Sequence, residues 1–488
     1  MLLKDLLKGI EYEISGGTAD IDIKSVTDDS RQVRPGGLFI AVAGHSQDGR
    51  KFADSAVSNG AIVVVSDQKI RVPGGVLGVY VKDIREALSA IAVNFYDAPS
   101  RKLGVIGITG TNGKTTITYL IESIAKSAGF KSGVIGTVNY RIAGSSRLAK
   151  NTTPGALELQ SLLSEMVGAG CSYAAIEVSS HALEQGRVSG VYFDAAIFTN
   201  ITSDHLDYHK TPEKYFEAKM KIFDHLKDGG TAILNNDDQK IRSVAPVIKH
   251  KKIAYGTKPG STVAASKIKL SPDGSSFDAV TPSGVIGITT KLLGMHNVSN
   301  CLAAIAAMQV LGVDAGSIAK GIKDMETIPG RLEPVDRAQS FKVLVDYAHT
   351  EDALNNVLSI LKNIGKGKVI TVFGCGGDRD RSKRPLMCRA ACKYSDRVII
   401  TSDNPRSEDQ LRIIDEIESG IRAEFSNYDI VPDRRDAIIK AISLAEDGDI
   451  VLIAGKGHED YQIVGERVLH FDDREVADEA LRSILVKT

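Results

Sequence analysis

The 488-residue chain has no tryptophan, only five cysteines and no excess of charge of either sign, with 60 Lys and Arg against 61 Asp and Glu and a formal net charge of −1. Each shortage closes off a class of protein. Balanced charge gives no global field to draw in nucleic acid or an anionic membrane, so any anionic ligand has to be held by local Lys, Arg and backbone groups. Cys171, Cys301, Cys375, Cys388 and Cys392 are sparse, odd in number and without paired CxxC spacing. That argues against a disulfide framework or structural zinc and for buried thiols. Met1 to Leu7 includes Lys4 and Asp5 and no sustained apolar stretch. Neither a secretory signal nor a membrane span is therefore expected, and the cytoplasm is the default location. Short-period repeats and low-complexity segments are also missing.

What remains is 43% hydrophobic and 25% charged, the composition of a soluble globular protein. At about 150 residues per domain, the length predicts roughly three domains. Residues 1–98 carry short apolar runs at Leu38–Ala43, Ala61–Val65 and Val79–Val81, separated by turn-forming segments, and read as a small α/β domain. The pattern breaks near Asp97-Ala98-Pro99-Ser100 and again around Ile328-Pro329-Gly330-Arg331, which predicts domains over 1–98, 99–329 and 330–488. In the last block, runs at Val343–Val345, Val369–Phe373, Val398–Thr401 and Ile450–Ala454 read as buried parallel strands, and Leu354, Val357, Leu358 and Leu361 keep helical spacing. The expectation is an α/β protein of three domains, with a central P-loop-type ATPase domain built on a mostly parallel sheet and a Rossmann-like doubly wound C-terminal domain.

The most informative stretch is Thr109-Gly110-Thr111-Asn112-Gly113-Lys114-Thr115-Thr116, which follows the apolar run 103–108 and opens a helix whose apolar face is Ile117, Leu120, Ile121 and Ile124. A strand, a glycine loop and a helix N-terminus bind phosphate: backbone N–H groups approach the oxygens, Lys114 adds a point charge and Thr115 offers a hydroxyl to Mg²⁺. The spacing departs from the usual P-loop, because Ile108 stands where a glycine is expected, and a plain glycine turn is the competing reading. Two further apolar runs turn polar at Glu177 and at Asn200. In an open parallel sheet, ligands gather beyond the carboxyl ends of the strands, so Lys114, Glu177 and Asn200 are expected to share one site. Downstream, Ser179, Ser180 and His181, then Asp204, His205, Asp207 and His209, concentrate carboxylates and imidazoles. Hard oxygen donors suit Mg²⁺, whereas no three-ligand zinc spacing is present.

Taken in order, Gly110–Thr116, Glu177–His181, Asn200 with Asp204–His209, Gly294-Met295-His296-Asn297, Arg331, Asp346-Tyr347-Ala348-His349 and Gly455-Lys456-Gly457-His458-Glu459 resemble the Mur ligase family, ATP-dependent amide-forming enzymes of peptidoglycan precursor synthesis. The resemblance spans the whole chain. It implies ATP contacts from Gly110, Thr111, Asn112, Gly113, Lys114, Thr115, Thr116, Asn297, Arg331, Asp346 and His349. Asp28 and Ser30, with His45, Ser46 and Gln47, are similar to the segment that holds the UDP moiety in members that add the third peptide residue. Asn151, Thr152, Thr153, Ser179, Gln185 and Arg187 are similar to the set that grips the muramoyl-dipeptide of UDP-N-acetylmuramoyl-L-alanyl-D-glutamate. Asp403-Asn404-Pro405-Arg406 resembles the motif of members that add meso-diaminopimelate, and with Arg379, Gly455 and Glu459 implies that substrate. Its additional carboxylate, absent from lysine, calls for a fixed cation, which a guanidinium fork supplies bidentately.

The family resemblance also implies a two-step reaction. A substrate carboxylate attacks the γ-phosphate of ATP, and an amine then displaces phosphate from the acyl phosphate. Lys114, Lys219, His205 and Glu177 are the implied catalytic set. Thr115, Glu177, His205 and a carbamate on Lys219 are the implied Mg²⁺ ligands. Carbamylation needs a neutral amine, and with an ordinary pKa of about 10.4 roughly one lysine in two thousand is neutral at pH 7, so the site has to depress Lys219 or stabilise the product. A hinge is expected near Pro329-Gly330, and a monomer is the family habit. Three rivals use part of the same sequence: a P-loop switch ATPase, a folylpolyglutamate-type ligase and a non-catalytic scaffold.

Overall fold

In the computed structural model the described residues are 1–44, 47–202, 204–421 and 424–485, so His45 and Ser46 of the expected UDP segment lie outside them. Three sheets of 5, 11 and 6 strands follow one another along the chain. The first runs Tyr12–Ser15, Leu77–Val81, Ala61–Ser66, Gly37–Ile40, Ser25–Thr27 across its width, parallel except for the Tyr12–Ser15 edge.

The central sheet places Gly104–Thr109 between Tyr173–Glu177 and Phe193–Phe198, all parallel. Strands of this kind are buried on both faces and so read as unbroken apolar runs. One face is covered by helices Lys114–Ser127, Met295–Val310 and Ala315–Asp324, with Ile117, Leu120, Ile121 and Ile124 wholly buried there. Helix Ala156–Gly168 covers the other face through Leu159, Leu162, Leu163 and Met166. Antiparallel hairpins extend both ends of the sheet, Asn139–Ile142 with Ser145–Leu148 at one and Val263–Ser271, Gly274–Thr281 and Gly284–Thr290 at the other. Ser145–Leu148, Val263–Ser271 and Gly284–Thr290 gave no continuous apolar run in the sequence, because several positions of each are exposed.

The third sheet runs Glu333–Pro334, Lys342–Asp346, Ile450–Ala454, Val369–Phe373, Arg397–Ile400, Tyr428–Ile430, parallel except for its first edge strand. Separate apolar clusters lie on its two faces, and helix Glu351–Ile364 joins one through Leu354, Val357, Leu358 and Leu361. The carboxyl ends of Lys342–Asp346, Val369–Phe373, Arg397–Ile400 and Ile450–Ala454 feed the loops that carry Tyr347 to His349, Gly374 to Arg381, Ser402 to Arg406 and Gly455 to Glu459. All five cysteines are buried free thiols. Among the described residues, no helix is long and apolar enough to cross a membrane.

Candidate functional site

The phosphate loop is closed by its own polar contacts. Gly113 starts the helix at φ +90°, and a Cβ there would lie 2.5 Å from Asn300 Oδ1; at Gly110, φ +145°, it would lie 1.8 Å from Thr199 Oγ1. Only glycine fits either position. Asn200 Oδ1 accepts from the Asn112 N–H at 2.8 Å, and its Nδ2 donates to the Asn112 carbonyl at 3.1 Å. The strand end at Asn200 thus fixes the loop. Thr111 N donates to the Asn200 carbonyl at 3.0 Å, Thr115 and Thr116 are buried in the first helical turn, and Arg331 Nη2 reaches Thr115 Oγ1 at 3.4 Å.

Two lysines converge on this loop. Lys114 Nζ donates to the Gly110 and Thr111 carbonyls at 2.9 Å each, and Lys219 Nζ donates to the same Gly110 carbonyl at 2.9 Å. Lys219, on helix Pro212–Met220, is 2% exposed and lies 4.6 Å from the Tyr215 ring centroid. Burial, reinforced by the Lys114 charge and opposed by Asp204, holds its amine well below the ordinary lysine value. Burial also lowers Lys114, against the pull of Glu177 and Asp204. Glu177 is buried, its Oε1 accepting from Thr137 N at 3.0 Å and its Oε2 from Thr137 Oγ1 at 2.8 Å. His205 is 3.5 Å from Asp204 Oδ2 and has a left-handed backbone, φ +54°. Although burial opposes it, His205, His349 and Lys114 hold the Asp204 carboxyl below its ordinary value.

The dipeptide set forms one connected network. Thr153 Oγ1 donates to the Glu177 carbonyl at 2.8 Å and accepts from Ser179 N at 3.0 Å. Arg187 donates to Gln185 Oε1 through Nε at 2.9 Å and to the Thr153 carbonyl through Nη1 at 3.0 Å. Thr152 Oγ1 meets Thr137 Oγ1 at 3.1 Å, and the Asn151 carbonyl accepts from Tyr140 Oη at 2.8 Å. Asp28 and Gln47 are exposed, whereas Ser30 is buried and its carbonyl accepts from Asn59 Nδ2 at 2.9 Å.

In the third domain, Asp346 accepts from the Leu332 and Ala348 N–H groups at 2.7 and 2.8 Å and so pins the segment that carries Arg331. His349 Nδ1 lies 2.8 Å from the Tyr347 carbonyl, and burial next to Lys383 takes its pKa down to about 4. Asn297 donates to the Leu293 carbonyl and accepts from Asn300 Nδ2; with Arg331 it lines a separate cleft of about 510 Å³. Arg379 is exposed. Arg406 has φ +52°, and its Nη1 donates to the Gly377 carbonyl at 2.7 Å. Asn404, which precedes Pro405, donates to Glu459 Oε2 at 2.9 Å, and a Cβ on Gly455 would come within 2.8 Å of Asp403 Oδ2.

A cleft of about 1410 Å³ brings these groups together: Asn151, Thr152, His205 and Asp204 line it from the central domain, and His349, Arg379, Asp403, Asn404, Arg406, Gly455 and Glu459 from the third. Asp28, Ser30 and Gln47 are not part of its lining. Sequence reasoning passed over Asp352, whose Oδ2 accepts from Asn112 Nδ2 at 3.0 Å across 240 positions of chain. It also passed over Arg384, wholly buried between Glu408 and Glu416, and Arg434, wholly buried against Asp473 at 2.7 Å, which brace the loops of the third domain. A buried arginine on an amphipathic helix carries no sequence signal that separates it from a solvated one.

Fold and site together define a three-domain α/β protein of the nucleotide-binding kind, whose central domain carries a phosphate loop and faces a doubly wound domain across one cleft. Three family models match: "Mur ligase family, catalytic domain" over residues 22–96, "Mur ligase middle domain" over 108–308 and "Mur ligase, glutamate ligase domain" over 330–457. Two relatives named UDP-N-acetylmuramoyl-L-alanyl-D-glutamate–2,6-diaminopimelate ligase are similar, one from Geobacillus thermodenitrificans at 47% identity over 94% of this chain and 95% of its own, the other from Syntrophomonas wolfei at 44% over 99% of each. A solved structure with that title aligns at TM-score 0.71 and 34% identity, covering 99% of both chains. The chain belongs to the Mur ligase family.

Proposed function

We propose that this chain is an ATP-dependent ligase that joins meso-diaminopimelate to UDP-N-acetylmuramoyl-L-alanyl-D-glutamate through an acyl phosphate, in peptidoglycan precursor synthesis. The observation that carries this reading is the large cleft, which Asn151, Thr152, Asp204 and His205 line from the central domain and Arg379, Arg406 and Glu459 from the third. It is supported by the diaminopimelate-adding activity in the names of relatives that align along nearly the whole chain.

In this reading the loop N–H groups and Lys114 hold the triphosphate and neutralise charge as the terminal carboxylate of the dipeptide takes the γ-phosphoryl group. Arg331 suits the nucleotide, because it reaches Thr115 in the phosphate-loop helix at 3.4 Å, and Asn297 lines the smaller cleft with it. Arg187 and Gln185 orient the dipeptide. Arg379 and Arg406 take the distal carboxylate of the incoming amino acid, and Glu459 its ammonium, so that the attacking amine faces the acyl phosphate. Mg²⁺ would supply charge neutralisation at the transferring phosphoryl group. Thr115, Glu177, His205 and a carbamate on Lys219 fit that ion in donor chemistry. Among the described residues no group of three or more His, Cys, Asp or Glu holds a metal alone, so the nucleotide oxygens and the carbamate have to complete its shell. The buried Lys219 amine, held well below the ordinary lysine value, is suited to add CO₂. Domain boundaries at 98/99 and 329/330, a monomeric state and a cytoplasmic location complete the proposal.

The test is ATP-dependent phosphate release with the UDP-dipeptide, offering meso-diaminopimelate and L-lysine in separate reactions. Release with diaminopimelate alone is expected. Release with lysine would discard the role of Arg406 in specificity, and silence with both would discard the substrate pair. A folylpolyglutamate-type ligase would also fail to bind a uridine nucleotide.

A further inference from the structure

Lys456 is a fully buried ammonium that the reaction described above leaves without a task. It follows strand Ile450–Ala454 and points among three acceptors: Glu459 Oε2 at 3.3 Å, Asn404 Oδ1 at 3.4 Å and the Tyr461 carbonyl. Asn404 Oδ1 also accepts from Ile463 N at 2.9 Å, which leaves Asn404 Nδ2 to donate to Glu459 Oε2 at 2.9 Å. One carboxylate oxygen of Glu459 therefore takes both protein contacts. Oε1 has no protein donor among the described residues, and Glu459 lines the large cleft.

Two carboxylates, Asp403 and Glu459, lie beside one buried cation, Lys456, while Arg434 is paired with Asp473 at 2.7 Å. Tyr347 and Tyr461 also face Glu459, as phenols that burial holds neutral, and Arg406 and Asp460 act on Tyr461 from the same cleft. Lys456 is the cation in hydrogen-bond contact with Glu459. Without Lys456, two carboxylates would share a buried pocket, and like charges there favour protonation of one of them.

We propose that Lys456 is a positioning residue that keeps Glu459 ionised and turned toward the cleft as the acceptor for the ammonium group of the incoming amino acid. This rests on the reading of Glu459 as part of the amino-acid site. Burial already raises the Glu459 carboxyl above its ordinary value, and Lys456 is the largest influence opposing that rise. Removing it moves the ionisation to higher pH, so ammonium binding is lost earlier as the pH falls.

The experiment measures KM for diaminopimelate, ATP and the UDP-dipeptide, and the pH profile of kcat/KM for diaminopimelate, in the full-length enzyme and in Lys456→Met, Lys456→Gln, Lys456→Arg and Glu459→Gln. At pH values on the acidic limb, Lys456→Met and Lys456→Gln are expected to raise the diaminopimelate KM about tenfold for each unit by which that limb moves up, with both other KM values held. Lys456→Arg restores part of the loss by retaining the charge. An unchanged diaminopimelate KM and limb in Lys456→Met and Lys456→Gln, beside a damaged Glu459→Gln, overturns the role of Lys456 alone. A parallel rise in all three KM values that Lys456→Arg fails to rescue assigns the residue to folding and overturns it too. An undamaged Glu459→Gln removes the amino-acid site reading and the proposal with it.

Discussion

Lys219 and Lys114 share the Gly110 carbonyl, and Lys219 is the one packed 4.6 Å from the Tyr215 ring centroid. Burial lowers both amines, and Lys219 is the one proposed to add CO₂. Lys219→Ala is expected to lower phosphate release by about two to three orders of magnitude, the range lost when one preorganised electrostatic group is removed. Added short carboxylates that restored part of the rate would identify the missing group as an anion. Full activity without them would remove carbamylation from the mechanism. Gly113→Ala is expected to cost about 1–3 kcal/mol, since it forces a side chain into φ +90° against Asn300, and nucleotide titration should register most of that cost. His349 and His458 both titrate at about 4 because they are buried near cations, and their ordinary value is 6.5. The unfolded chain therefore binds their protons first. Their contribution to stability is complete above pH 6.5 and is lost as the pH falls toward 4, a slope that denaturant midpoints across that window would measure.

At the scale of elements, a two-stranded hairpin, Tyr461–Val464 with Arg467–His470, docks on the Asp403–Arg406 loop by main-chain pairing. Arg406 N donates to the Ile463 carbonyl at 3.0 Å and Gly465 N to the Arg406 carbonyl at 2.8 Å, which holds Arg406 in its left-handed backbone. Ile463→Pro removes the N–H that Asn404 Oδ1 accepts. The expected result is a raised KM for the amino acid with ATP binding unchanged, and equal damage to both would deny the hairpin this role. Elsewhere in the third domain, Arg434→Met strands Asp473 in the core and is expected to cost about 3–5 kcal/mol, read as a lowered denaturation midpoint. Elements of this kind divide what the sequence revealed from what it hid. Gly104–Thr109 and Ile450–Ala454 were legible because both faces are buried, which leaves one long apolar run. The Tyr461–His470 hairpin was not, because one strand is half-buried, the other is exposed and neither has a buried face. Lys114 was legible because its neighbours in the chain are its neighbours in space. Asp352 was not, because it meets Asn112 only once two domains have folded and approached.

For the whole molecule, the site belongs to no single domain. Arg331 and Asp352 come from beyond the break at Pro329-Gly330, and both touch the phosphate-loop region. Gly330 has φ +64°, and a Cβ on it would lie 2.2 Å from the His458 backbone nitrogen, so this joint turns on a residue without a side chain. The expected hinge here would turn the third domain as a body. X-ray scattering is expected to show a smaller radius of gyration with an ATP analogue and the UDP-dipeptide together than with neither. Equal radii would deny closure.

The Asn112–Asp352 bridge joins the rim of the phosphate loop to the third domain. Any opening between those two domains during turnover has to break and re-form this contact. Chemistry made faster would then meet a limit set by friction on a moving domain, and the steady-state rate should fall as glycerol or sucrose thickens the solvent.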